Sequence, residues 1–134
     1  FYGMYDRHHA FAPAYADDPE LSPWALPSRW QTPPEGLDLA TPVNFVSTVD
    51  IIGGNSGSPV LDADLRVVGV VFDGNIESLP GDYIYLPRFN RSVTVDARGI
   101  LQALDHVYDM DRIVVELTDG ALHADESEAD AARR

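Results

Sequence analysis

Ile51–Gly74, IIGGNSGSPVLDADLRVVGVVFDG, is the stretch that decides how this chain folds. Its start, Gly53-Gly54-Asn55-Ser56-Gly57-Ser58-Pro59, is a glycine-rich loop with a serine at its centre. The segment after the loop reads as a β-hairpin. One strand covers about Pro59–Leu61, the turn is Asp62-Ala63-Asp64, and the return strand covers about Arg66–Phe72. The return strand is nearly all apolar, so it is expected to be buried on both faces. Glycines let a backbone turn sharply and approach another molecule closely. Their open N–H groups can then hold a developing oxyanion. Ser56 is therefore the candidate nucleophile. The plain alternative is a Gly/Ser-rich surface turn, which a bare G-x-S-x-G does not exclude. The full loop followed by an apolar hairpin favours the nucleophile.

Outward from the hairpin, VNFVSTV (Val43–Val49) is β-branched and alternating, and DYIYLP (Asp82–Pro87) and SVTVD (Ser92–Asp96) are further strand candidates. Then Ile100, Leu101, Leu104, Val107 and Tyr108 recur at helical spacing, with Asp96 placed to cap the helix. RIVVELT (Arg112–Thr118) fits either a last strand or a helix extension. Seven of the ten prolines fall within residues 1–42. That segment is expected to be mostly irregular, with room for a short helix. Its aromatic residues suggest that it packs against something. From Asp119 onward the chain is small, polar and acidic, and is expected to lack structure. The expected fold class is mainly β. The expected division is a lead-in of residues 1–42, a β domain with its helix over 43–118, and a tail over 119–134.

The totals narrow the function. The 134 residues, 45% hydrophobic, suffice for one modest core. A net charge of −13 without a basic cluster excludes nucleic acid and anionic membrane surfaces as natural partners. With no cysteine there is no disulfide, thiolate metal site or cysteine nucleophile. No run has the length of a membrane span. No histidine pair has metal-ligand spacing, and Asp62-Ala63-Asp64 is too short for a calcium loop, so no metal or other cofactor is expected. The chain opens on Phe1 with no signal peptide, as a C-terminal fragment of a longer protein would.

A nucleophilic serine needs a base, and that base an orienting carboxylate. His106 and His123 follow Ser56. His106 lies off the apolar stripe of its helix and is expected to face solvent; His123 is in the acidic tail. His8 and His9 precede the serine, but only about fifty proline-rich residues intervene. Both are expected at the surface. The catalytic histidine and aspartate are therefore expected outside this chain, and the fragment alone is expected to be inactive.

Gly-Asn-Ser-Gly-Ser-Pro resembles the nucleophile loop of chymotrypsin-like serine proteases. The wider stretch TPVNFVSTVDIIGGNSGSPVLDADLRVVGVVFDGNIESLPGDYIY, with NRSVTVDARGILQAL, resembles more specifically the bacterial dipeptidyl-peptidase 7 and dipeptidyl-peptidase 11 family. The resemblance is good over residues 41–117 and looser before them. It implies the second half of a chymotrypsin-like double β-barrel. It also implies a periplasmic or secreted exopeptidase that removes dipeptides from free peptide N-termini, and it leaves room for a homodimer of the full-length enzyme. By this resemblance Ser56 matches the catalytic serine, and the N–H groups of Ser56 and of Gly53 or Gly54 match the oxyanion hole. Phe72-Asp73-Gly74 matches the strand end beside the specificity pocket, with Asp73 holding the substrate ammonium and Gly74 shaping the pocket for the penultimate residue. Acid-specific members carry Arg at that position. A glycine leaves room and supplies no charge, so a hydrophobic penultimate residue is expected.

Three alternatives remain at this point. Asp73 before Gly-Asn is a common turn former. Asp50, six residues before Ser56, has the spacing of the acid in a trypsin-like pocket, although a structural role capping loop N–H groups suits it better. The whole chain could also be a non-catalytic protease-like binding module, or part of an HtrA-like endoprotease, which shares Gly-Asn-Ser-Gly.

Overall fold

The β-branched stretches pair into one open antiparallel sheet. Strands β1 (Asn44–Ser47), β2 (Pro59–Leu61), β3 (Val67–Gly74) and β4 (Ser92–Asp96) lie in the order β1-β4-β3-β2. The computed structural model describes residues 1–15, 17–18 and 22–132, so Pro19 of the lead-in and the last two residues of the tail fall outside it. The chain forms two compact units, one of residues 42–100 and one of residues 1–41 with 101–134.

In the unit of residues 42–100, β2 and β3 form the hairpin, with Pro59 opposite Val70 and Val60 opposite Gly69. Its turn is built on Asp62. One carboxylate oxygen accepts the N–H groups of Asp64 and Arg66 at 2.9 and 3.0 Å. The Arg66 guanidinium closes over Asp62 and Asp64 at 3.0 and 2.6 Å. Leu65 completes the turn in the left-handed region at φ 64°. The Arg66 N–H and guanidinium hold the Asp62 carboxyl below its ordinary pKa.

Central strand β4 is polar on its buried side, where Ser92, Thr94 and Asp96 are all shielded. The Ser47 and Ser92 hydroxyls lie 2.7 Å apart, and a side chain at Gly69 would overlap the Val95 carbonyl and the methyl of Thr94. Glycine is thus required there for the strands to close. β3 is not buried on both faces, as its apolar run suggested. Gly69 and Val71 are buried, whereas Val67 and Phe72 are exposed, because within this unit the sheet is well covered on one side only. DYIYLP is not a strand. Residues Ile76–Asp82 wind as tight 3-10 turns, and the N–H groups of Tyr83 and Ile84 both donate to Pro80 O at 3.0 and 2.9 Å. Pro80 and Gly81 favour the turns that lead into this stretch, and Ile84–Leu86 beyond them join no strand among the described residues.

Asp96 ends β4 and caps helix α2 (Ala97–Gln102), as its position suggested. Its Oδ1 accepts the Arg98 N–H at 2.9 Å, and the Arg98 guanidinium grips both carboxylate oxygens at 2.9 and 2.7 Å. The carboxylate is buried, at 3% exposure.

The second unit is helical, and α1 (Tyr2–Phe11) opens it. The lead-in is thus less irregular than its proline content suggested, because the first proline is Pro13 and α1 ends before it. Phe1 and Tyr5 are buried, and Phe1 stacks on Trp30 at 5.8 Å. Helix α2 widens into a π-turn over Ala103–Val107, where the Tyr108 N–H reaches Ala103 O at 3.0 Å. RIVVELT lies within helix α3 (Asp111–Asp119), which stops at Gly120, in the left-handed region at φ 72°. The acidic tail carries helix α4 (Glu126–Ala132), against the expectation of disorder. Asp125 caps it through the Glu128 N–H at 3.1 Å, and Ala129 is completely buried. More of the described residues are helical than extended, so the chain is α+β rather than mainly β.

Arg98 holds the Asp96 carboxyl below its ordinary range, first through the side-chain hydrogen bond and then through its backbone N–H. A depressed carboxyl stabilises the fold above the unfolded pKa, near 3.9, and that stabilisation is lost as pH falls through the lower folded value. Asp96→Ala is expected to cost about 1–3 kcal/mol at neutral pH. The gap to wild type should narrow as pH drops below about 4. Urea unfolding of both proteins across that range measures it.

Candidate active site

The serine loop is fastened to β3 by two hydrogen bonds to one residue. The Gly57 N–H donates to Val71 O at 2.8 Å, and the Val71 N–H donates to Ser58 O at 3.0 Å. Within the loop, Asn55 closes a tight turn. Its N–H donates to Ile52 O at 3.2 Å, its Oδ1 accepts the Ile52 N–H at 2.8 Å, and its carbonyl accepts the Ser58 N–H at 2.9 Å. Gly54 and Gly57 sit at φ +100° and +90°, which side chains rarely tolerate. Asn55 therefore does the N–H capping that the sequence suggested for Asp50, which is exposed. The side chain inside the turn reaches the Ile52 N–H directly.

These bonds occupy the N–H groups of Ile52, Asn55, Gly57 and Ser58. Those of Gly53, Gly54 and Ser56 are left without an acceptor among the described residues. They are the same three residues that the sequence named as oxyanion donors. A loop of this kind can stabilise negative charge without rearranging its backbone.

Across from the loop, β3 carries a bulge. Val71 faces Thr94 and Asp73 faces Val93, so Phe72 has no partner in the ladder. A bulge bends a strand and re-aims its side chains. Here the Ser56 hydroxyl donates to Phe72 O at 3.2 Å. Asp73 is exposed, and its Oδ1 accepts the Gly74 N–H at 2.8 Å. Gly53, Ser56, Phe72, Asp73 and Gly74 line a single cleft of about 280 Å³. Gly54 adjoins it in the loop but is not part of its wall. Five of the six residues selected from sequence thus meet at one site.

The sequence missed the base of this cleft. Asn75 pins the end of β3 to the chain entering β4. Its N–H donates to Arg91 O, its Oδ1 accepts the Arg91 N–H, and its Nδ2 donates to Phe89 O, at 2.9, 2.9 and 2.8 Å. Ser78 sits on Asn75 and also lines the cleft. The Phe72-Asp73-Gly74-Asn75 string was visible, but Asn75 read only as a turn residue.

No histidine lines the cleft among the described residues. His8 is half-buried rather than a plain surface residue, with Nδ1 3.1 Å from Trp24 O and 3.3 Å from the Leu26 nitrogen. His106 does not face open solvent. Its ring packs on Gly36, which sits at φ +88° and whose missing Cβ makes the room. His123 has a buried Nε2 and an N–H that donates to Glu116 at 2.9 Å. Among the described residues no helix is long and apolar enough to cross a membrane.

The model of one protein family, Peptidase S46, matches residues 2–119. The chain belongs to the peptidase S46 family. This S46 chain is 44% identical over 78 residues to the Asp/Glu-specific dipeptidyl-peptidase of Shewanella putrefaciens, covering 58% of the chain and 11% of that relative. It is 43% identical over 75 residues to dipeptidyl-peptidase 7 of Porphyromonas gingivalis, covering 56% of the chain and 10% of that relative. The crystal structure of Porphyromonas endodontalis DPP11 in complex with dipeptide Arg-Glu matches with a TM-score of 0.56 at 40% identity, over 57% of this chain and 11% of that one. The S46 chain thus spans about a tenth of the length of these relatives. The identities to these two relatives are nearly equal and favour neither.

Gly53 and Gly57 both have open space where a side chain would go, but only Gly57 has a positive φ. Gly57→Ala is expected to cost about 1–2 kcal/mol through backbone strain. Gly53→Ala should stay within about 0.5 kcal/mol of wild type. Denaturant unfolding of the two variants separates conformational strain from crowding.

Proposed function

We propose that this chain is the nucleophile-bearing part of a serine-type dipeptidyl aminopeptidase, with Ser56 as the nucleophile. One observation carries the proposal. In a chain of this peptidase family, Ser56 sits beside three N–H groups without acceptors among the described residues and shares one cleft with an exposed carboxylate, Asp73. The substrate's α-ammonium binds Asp73, in a cleft whose wall includes a second carboxylate, Asp82, and no Lys or Arg among the described residues. Ser56 Oγ attacks the carbonyl carbon of the second peptide bond and gives its proton to a histidine from the longer protein. The oxyanion faces the Gly53, Gly54 and Ser56 N–H groups. Collapse expels the shortened peptide's amine, which takes the proton from that histidine. Water then hydrolyses the acyl-enzyme and releases the dipeptide.

Gly74 supports a preference for an apolar penultimate residue, since it offers no cation to a carboxylate. The open sheet supports a further reading. Its outer face carries Val46, Val70, Val93 and Val95, half-covered or exposed, as suits the second barrel of a chymotrypsin-like pair completed by preceding sequence. That sequence would supply the triad histidine and aspartate. A periplasmic or secreted setting rests on the family resemblance.

Ser56→Ala in the longer enzyme should lower kcat at least about 10³-fold with binding retained. Chromogenic dipeptide substrates with Leu or Phe at the second position should outperform those with Asp or Glu, and N-acetylated versions should not turn over. Residues 1–134 alone should be inactive. Cleavage of acetylated peptides, or a preference for acidic ones, would overturn the assignment of Asp73 or of Gly74 respectively.

A further inference from the structure

The space that Gly74 leaves is already occupied. A Cβ built on Gly74 would overlap Ser78 Oγ, while the Ser78 Cβ would lie at an ordinary 3.4 Å. Both residues line the cleft. The Ser78 side chain is not a loose end. Its hydroxyl donates to Asn75 O at 2.6 Å, and its N–H donates to the same oxygen at 2.9 Å. Asn75 in turn is held by Arg91 and Phe89. The hydroxyl therefore stands as a fixed wall where a longer side chain at position 74 would otherwise project.

We infer that Ser78 is a specificity-determining residue which, paired with Gly74, sets the depth of the pocket for the penultimate side chain. This rests on the dipeptidyl-peptidase reading of the cleft and deepens it. Glycine at 74 adds no charge of its own to the pocket, and Ser78 limits how far a substrate side chain can enter. The hydroxyl proton is committed to Asn75 O, so the oxygen meets the substrate only as an acceptor. An acceptor tolerates an apolar side chain but repels a carboxylate, which adds a second bar to acidic residues.

The test uses the longer enzyme carrying this chain and substrates with Ala, Leu or Phe at the penultimate position. Ser78→Gly should raise the ratio of kcat/KM for Phe over Ala by about threefold or more. Ser78→Val should lower it by about tenfold, in the range one methylene commands in an apolar pocket. Such a ratio is insensitive to loss of folded protein. Ratios unchanged within twofold in both variants would overturn the inference. Wild type that releases no dipeptide, or prefers Asp and Glu, would instead overturn the dipeptidyl-peptidase reading or its apolar preference. A measurement that does not need activity then decides on Ser78. Gly74→Ala should lower the melting temperature by a few degrees, and adding Ser78→Ala should restore most of it, because only the hydroxyl overlaps. Additive losses in the double variant would mean the two residues do not compete for one space, and would overturn the inference.

Discussion

Val71 holds this site together. Within residues 42–100 it is the large apolar side chain most fully removed from water, at 3% exposure among the described residues. Both of its backbone groups face the serine loop rather than a neighbouring strand's end, accepting from Gly57 and donating to Ser58. Its position in the ladder opposite Thr94 ties the same residue to the centre of the sheet. One residue thus joins loop, hairpin and sheet. The loop does not depend on its own weak turn propensity to stay in place, because displacing it would leave two polar groups of a buried strand residue unpaired.

The next residue along turns that anchorage into a site. Phe72 drops out of the ladder, its carbonyl meets the Ser56 hydroxyl, and the chain resumes pairing at Asp73. Without the skipped residue, the alternation of the strand would carry Asp73 and Gly74 to the opposite faces from those they occupy. The bulge is therefore what brings a carboxylate, a glycine and the serine to one cleft. The protein is acidic overall, at −13, and the wall of the cleft includes two carboxylates and no basic residue among those described. Both facts favour a cationic group at this site over an anionic one.

What could be read from sequence was whatever local chemistry fixes. The glycine loop, the Asp62 turn and the Asp96 cap each depend on side chains within a few residues of the backbone they bond, so short-range pattern revealed them. Asn75 and Ser78 were not legible, because their importance lies in bonds to Phe89 and Arg91 and in an overlap with Gly74. DYIYLP alternates like a strand, yet the turns of Ile76–Asp82 run into its start, and Ile84–Leu86 join no strand among the described residues. The tail helix is hidden in an acidic, low-hydrophobicity composition, and its cap is its sequence signal. Asp125-Glu126-Ser127-Glu128 has the spacing of a capping box, with Asp125 accepting the Glu128 N–H, while the Glu128 carboxylate takes the N–H of Ala124, one residue before the cap, at 2.6 Å. Proline content misled for residues 1–11 because the prolines of residues 1–42 begin only at Pro13. Buried Ser92 and Thr94 ran against hydrophobic pattern altogether, since the valines of β4 take the other face.

The order in which these parts can assemble depends on where the hairpin lies in the chain. Ser56, Phe72, Asp73 and Gly74 all belong to one continuous stretch, whereas β1 must find β4 much farther along the chain, Asn44 meeting Val95. Hairpins close in about 1–10 μs, and closing a longer loop adds an entropy cost that grows only slowly with its length. Ser56 and the groups proposed to receive the substrate's amine and side chain can therefore come together before the rest of the sheet forms. The cleft that Ser56 lines is a local property of the chain, and only the register of β4 beside it requires distant residues to meet.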